Sequence, residues 1–237
     1  RAALGAGAEA DLAAQAATGA ALGGGAGATL ACLAGVAALY VVMSVNEYIY
    51  HRYFQHLGIN KVQLSRSARR AFGLGTYQGD GHVEHHRETL DDMTLDPRAV
   101  PALDADPFRG TAFPWWATCA MILSVMVPAV PLLTALGWPT PLAVVSSAAA
   151  VLLHAAVWNA LHPNMHGLPD VQIGQGVPSD LLAGFRGSPL FEWLRINHEG
   201  HHRVEGAHGN YNVCCPLMDQ LAGTYVGVVP ARPVKAA

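Results

Sequence analysis

The sequence predicts an all-α integral membrane protein with about three to four transmembrane or re-entrant helices and a histidine-rich helical cap on one face. Three observations predict this. Charged residues make up 13% of the chain against 51% hydrophobic, about half the charged share of an ordinary soluble domain, and mean hydropathy is +0.24. Three apolar stretches are long enough to cross a bilayer as helix, which takes about 20 residues. Finally, ten of the 12 histidines fall into four patterned groups, and all four emerge on the same side of those stretches.

Residues 1–28 are rich in Ala and Gly, with Arg1, Glu9 and Asp11 the charged positions. They read as a low-complexity leader rather than a core element. A processed organelle import sequence has this composition, and so does a truncated chain. The first span is "TLACLAGVAALYVVMSVNEYIY", residues 29–50, with a polar end at Asn46 and Glu47. The second is "FPWWATCAMILSVMVPAVPLLTALGW", residues 113–138. Trp115, Trp116 and Trp138 bracket it as interfacial aromatics do. Pro128 and Pro131 are expected to kink or break it, which leaves a re-entrant hairpin open. "GWPTP" (137–141) is a turn signal, and the third span follows as "PLAVVSSAAAVLLHAAVWNALH", residues 141–162. Residues 29–226 are thus read as one membrane-embedded domain and 227–237 as a tail.

If the second and third spans cross out and back, His51 and His56, the loop triplet His82, His85 and His86, the pair His162 and His166, and the triplet His198, His201 and His202 share a face. Thirteen of the 14 Lys and Arg residues lie there too, which orients that face toward the cytosol, or by extension a stroma or matrix. A net charge of −3 with no basic stripe gives no basis for nucleic-acid binding. Cys32, Cys119, Cys214 and Cys215 suggest neither a zinc ribbon nor a disulfide framework.

The words "HVEHH" (82–86) and "HEGHH" (198–202) place histidines at i, i+3 and i+4, on one helical face, so that each triplet is expected to aim at one locus. His162 and His166 are an i, i+4 pair, with Pro163 expected to end or kink the span between them. His51 and His56 are five apart, which a regular helix would splay, so the helix is expected to unwind near Tyr53. Ten imidazoles in four groups suffice for two metal ions, and imidazole suits iron, zinc, copper and nickel alike. Glu47, four residues before His51, is expected either to accept that histidine's free ring N–H or to reach the interface as an exposed carboxylate. His154 reads as a hydrogen-bonded interior histidine. His208 reads either as a hydrogen-bond partner behind a ligand or as a solvated loop residue.

"EYIYHRYFQH" (47–56), "HVEHH", "HPNMH" (162–166) and "HEGHH", with the closing segment "HHRVEGAHGNYNVCCPLMDQLAGTY" (201–225), resemble the histidine boxes and tail of the fatty acid hydroxylase / sterol desaturase superfamily, membrane-bound histidine-box di-iron oxygenases. Asn210, Tyr211, Asp219, Gly223 and Thr224 match the tail pattern, and the first box is closest in look to fatty acid 2-hydroxylases. The resemblance implies a non-haem di-iron centre that uses dioxygen and two electrons to hydroxylate or desaturate a lipid: fatty acid, sphingolipid, sterol or carotenoid. It implies His51, His56, His82, His85, His86, His162, His166, His198, His201 and His202 as the metal ligands, two Fe ions (with Zn possible on isolation), and supporting places for Glu47, His208 and Asn210. It implies an external electron donor such as cytochrome b5 or a ferredoxin; the compartment is read from the leader instead, which favours an organelle (plastid or mitochondrial) membrane over the endoplasmic reticulum. Two rival readings stand beside it. One is a non-catalytic hydroxylase-like subunit of a larger membrane complex. The other is a histidine-lined metal transporter or sensor, which would want ligands near the bilayer midplane, where His154 alone lies.

Overall fold

The structure is a computed structural model that describes residues 24–98, 112–113, 115–167, 183–203 and 209–227. His208, most of the Ala/Gly-rich leader and all but the first residue of the tail lie outside the described residues. The described residues are helical apart from loops and one isolated bridge between Thr89 and Leu95. In chain order the helices are α1 (Gly24–Ile49), α2 (Gln63–Ala71), α3 (His82–Glu88), α4 (Trp115–Ala135), α5 (Thr140–Met165), α6 (Ala183–Arg186), α7 (Pro189–Arg203) and α8 (Met218–Ala222). A π-helical segment, Tyr50–Gln55, continues α1 without a break.

Three helices are long and apolar enough to cross a membrane: Gly27–Gln55, Trp115–Ala135 and Thr140–Met165. Their apolar residues run all the way round, as in a span rather than a surface helix. Leu30, Leu33, Val36, Leu123, Val127, Val145, Leu152 and Leu153 face outward and exposed, an apolar belt consistent with lipid contact.

The buried positions explain how the bundle packs. On α4, Ala117, Met121, Val125, Ala129 and Leu133 are buried; on α5, so are Ala143, Ser147, Val151 and Ala155. Each set repeats every fourth residue, and ridges of that spacing interdigitate between helices. The small residues in both let the backbones approach closely. Asn46 of α1 donates to Ser124 Oγ of α4 at 2.7 Å, and Ser124 Oγ donates on to the Met121 carbonyl.

Four expectations are corrected. Pro128 and Pro131 do not break the second span, which stays helical throughout. Both prolines are exposed, so the intrahelical bonds they remove, from the carbonyls of Ser124 and Val127, are lost away from the packed stripe. Pro163 does not end the third span either, since α5 runs on to Met165. Nor does α1 unwind at Tyr53. It widens into π-helical turns, with the His56 amide donating to the His51 carbonyl at 3.0 Å. The α1 helix also starts at Gly24, inside the stretch read as leader.

At the end of the bundle remote from the histidines, the Trp138 indole N–H donates to the Ala31 carbonyl at 3.0 Å and pins α1 to the α4–α5 turn. Gly35 faces that ring, and a Cβ there would clash with Nε1. Gly35→Ala is therefore expected to destabilise the protein by roughly 1–3 kcal/mol through overpacking. Thermal unfolding in mild detergent checks this, and an unchanged Tm would contradict the contact.

Candidate metal centre

The ten histidines of the four words converge at one end of the three long helices. They form two adjacent groups, His51, His56, His82, His86 and His201 in one and His85, His162, His166, His198 and His202 in the other. Within each group the available ring nitrogens lie within 4.8 Å of one another. The groups touch where His86 stacks on His202, ring centroids 3.9 Å apart.

The division of the triplets corrects the expectation that each serves one locus. In α3, His82 and His86 enter the first group while His85 enters the second. In α7, His198 and His202 enter the second group while His201 enters the first. The i and i+4 rings of each triplet go one way and the i+3 ring goes the other. Each group is completed by a pair from a long helix, and here the π segment matters. Its i→i+5 bonding brings His51 and His56 together, Nε2 to Nε2 at 3.3 Å. The i, i+4 spacing in α5 does the same for His162 and His166, whose ring centroids are 5.0 Å apart.

Local sequence sets these rings. α3 begins after Gly81, whose φ of 95° suits glycine. Asp80 Oδ1 accepts the His82 amide, and Asp80 Oδ2 accepts from Gln55 Nε2 in the π segment. Trp158 is fully buried on the side of the bundle interior, its ring centroid 5.5 Å from that of His51 and 4.9 Å from that of His162. Trp158 thus bridges the two groups, and Phe113 packs on it with ring centroids 4.7 Å apart. His56, His86 and His202 are part-exposed, whereas the other seven ligand candidates are buried.

Hydrogen bonds fix several tautomers. The Nδ1–H of His51 donates to the Tyr211 carbonyl at 2.6 Å, that of His201 to the Gly209 carbonyl at 2.6 Å, and that of His166 to the Met93 carbonyl at 2.8 Å. A carbonyl only accepts, so each Nδ1 carries the proton and Nε2 presents a lone pair in the neutral ring. In the first group the Nε2 atoms close a ring: His51 to His82 at 2.8 Å, His82 to His86 at 3.2 Å, His86 to His201 at 3.0 Å, His201 to His56 at 2.9 Å and His56 to His51 at 3.3 Å. In the second, His166 Nε2 lies 3.1 Å from that of His85 and 3.0 Å from that of His198, which is 3.1 Å from that of His202. Two imidazole nitrogens bound at right angles to a metal about 2.05 Å from each stand about 2.9 Å apart. These spacings match coordination around a cation.

Burial lowers the pKa of His85, His86, His198 and His202 well below the usual histidine range, and repulsion from neighbouring imidazoles lowers them further. His166 is held at about 4 and His201 at about 3, again mainly by burial. These six rings are therefore neutral at pH 7, the state in which imidazole ligates.

Glu47 does not contact His51, nor does it reach solvent. It is buried, and its two oxygens accept from His154 Nε2 at 3.1 Å, the Cys214 amide at 2.8 Å, Asn212 Nδ2 at 3.1 Å and the Cys215 amide at 2.8 Å. Its side chain holds the closing segment 209–227 whose carbonyls orient His51 and His201. Within that segment Asn210 takes a left-handed conformation, φ 52°, which asparagine tolerates. The turn it makes lies between the two carbonyls that fix His201 and His51. Its side chain bonds the Asn197 carbonyl and both backbone groups of Val226, so Asn210 acts through the backbone and not by touching a histidine. His154 is the interior, hydrogen-bonded histidine expected. Glu47, His154 and Cys215 also lie close enough together to suggest a further metal site. The carboxylate is already saturated by four N–H groups, and burial together with the charge of Glu47 pushes both neighbouring thiols up. That cluster is a structural anchor.

Sequence reasoning missed Trp158 and the carbonyls of Met93, Gly209 and Tyr211. An apolar ring inside an apolar span gives no periodic signal, and a carbonyl is present at every residue. Comparison with protein-family models, curated proteins and solved structures finds no match to this chain.

Glu47→Gln leaves one carboxamide oxygen for four donors and turns an NH2 group toward two of them. It is expected to cost roughly 3 kcal/mol, read as a lowered Tm; an unchanged Tm would contradict the anchoring role.

Proposed function

We propose that this chain is a membrane-embedded lipid C–H hydroxylase, or desaturase, that uses dioxygen and two electrons at a histidine-ligated pair of iron ions. The observation that carries this reading is the pair of adjacent five-histidine groups at one end of three apolar helices, with ring nitrogens spaced for coordination. The donor set fits iron, since neutral imidazole is among its preferred ligands. Iron would supply the redox steps that activate dioxygen, which zinc does not. Hydroxylation balances as RH + O2 + 2 electrons + 2 protons giving ROH and water, and the electrons come from a separate carrier such as cytochrome b5 or a ferredoxin.

The chain's own residues do the rest. Tyr211, Gly209 and Met93 hold His51, His201 and His166 with Nε2 turned inward, so the ligands need no reorganisation when metal binds. Trp158, Phe113, Leu161 and Met165 are buried in the core beneath the histidines and keep that side dry, a condition for oxidative chemistry on an unactivated chain. The part-exposed rings His56, His86 and His202 mark the side on which the centre is open. The apolar belt around the helices suits delivery of a lipid tail from the bilayer, and the membrane is that of an organelle or the endoplasmic reticulum.

The test is turnover. Purified chain loaded with iron and supplied with reductant, dioxygen and a panel of fatty acids, sphingolipids and sterols is expected to give a product one oxygen heavier or two hydrogens lighter. His85→Ala and His201→Ala, one in each group, are expected to abolish it. Normal turnover in either variant would sink the assignment. Iron-loaded protein inert toward the whole panel would favour a non-catalytic membrane subunit.

A further inference from the structure

Between the π segment and α3, the stretch from Leu57 to Gly79 contains Lys61, Arg66, Arg69 and Arg70 and no Asp or Glu. It carries α2, which buries none of its residues. On the helix, Leu64, Ala68 and Ala71 recur at i, i+4 and i+7 along one face, while Arg66, Arg69 and Arg70 occupy the other. The apolar side has no cover: Leu64 is 79% exposed and Phe72, just beyond the helix, 79%; Leu74 in the following loop is 62% exposed.

The arginine side is assembled but not neutralised. Arg66 donates to Gln63 Oε1 and Arg69 to Ser65 Oγ, and among the described residues no carboxylate pairs with any of the three. Three other arginines do find acids: Arg195 bonds Glu192 and Glu199, Arg203 bonds Glu199 and Arg98 bonds Asp96. Arg66, Arg69 and Arg70 line an open depression of about 280 Å³ with Asn60, Leu74 and Thr76. The loop across it is held in place because Asn60 exchanges two hydrogen bonds with the backbone of Tyr77.

We propose that α2 and its following loop form an interfacial arm that binds the phosphate of anionic lipids beside the histidine centre. Guanidinium forks match phosphate oxygens. A short helix with an apolar stripe and a basic face lies in the headgroup plane, its apolar side toward the acyl chains. Position agrees, since α2 begins eight residues after the apolar span ends at Gln55, and cations so close to a span are attracted to anionic leaflets. The exposed Leu64, Phe72 and Leu74 favour a lipid occupant over a free anion or an acidic protein, neither of which would cover them. The inference rests on the membrane reading of the three long helices and is independent of the iron chemistry.

The full chain is reconstituted in phosphatidylcholine, and the preference of spin-labelled phosphatidylglycerol over spin-labelled phosphatidylcholine for its boundary is measured. Wild type is expected to prefer phosphatidylglycerol by at least about tenfold. Arg66→Gln/Arg69→Gln/Arg70→Gln should bring the ratio near 1 with helix content and Tm unchanged. Should that variant lose its fold, raised ionic strength on wild type must lower the ratio instead. Equal association of the two lipids, or a ratio indifferent to both the arginines and salt, overturns the proposal. Full displacement by inorganic phosphate would make the depression a free-anion site, and retention of poly-glutamate without lipid selectivity would make it a protein dock. Either result also overturns it. Failure of the membrane reading shows separately, as protein that stays soluble and monodisperse without detergent.

Discussion

The structure depends on imidazole lone pairs being turned toward one another. Three rings present Nε2 as a bare acceptor because their Nδ1–H groups are committed to backbone carbonyls, and burial removes the alternative of protonation. Each of the three lies about 3 Å from Nε2 of neighbouring histidines; a neutral neighbour can donate its one N–H to a single lone pair, whereas a cation among them satisfies every one. Everything around the cluster can be read as the means of holding that arrangement: the π segment, the uninterrupted passage of α5 through Pro163, the divided triplets and the carbonyls behind the rings.

The second constraint is that these carbonyls must themselves be held. The closing segment does this through a chain of buried polar bonds. Asn197 of α7 donates to the Asn212 carbonyl, and Asn212 Nδ2 donates to the Ser44 carbonyl and to Glu47. Asp219 accepts the Asn212 amide and the Thr224 hydroxyl. A carboxylate inside an apolar span is costly. Four N–H donors offset that cost, and in return α1 is bound to the segment that orients one candidate ligand from α1 and one from α7. The two parts of the site that the chain separates most widely are joined at Glu47.

Much of this was legible in the sequence. Three apolar stretches gave the three long helices within a few residues, and the histidine words placed all ten candidate ligands at one end. What the words could not convey was the partition. A spacing of i, i+3, i+4 reads as one face, but the 100° per residue of a helix separates i+3 from i and i+4 enough for two centres side by side to draw from one triplet. The five-residue spacing of His51 and His56 implies an unwound helix as long as the α-helix is the reference, and one π turn makes it a match. The prolines read as kinks or breaks because sequence does not show which face they occupy. For Glu47 the sequence offers only its helical neighbour His51 or solvent, since local spacing is visible, whereas its actual partners come from residues 154, 212, 214 and 215. Asn210 was noticed as a side chain, yet its part is played by a left-handed backbone turn.

The measurement that bears most directly on this account is metal content per chain combined with X-ray absorption at the metal edge, on protein purified without chelator or nickel resin. The account predicts two ions per chain, each with a shell dominated by imidazole nitrogen at about 2.1 Å and a second metal in its neighbourhood. A single ion, a shell containing sulfur, or folded protein that binds no metal when iron is supplied would contradict it.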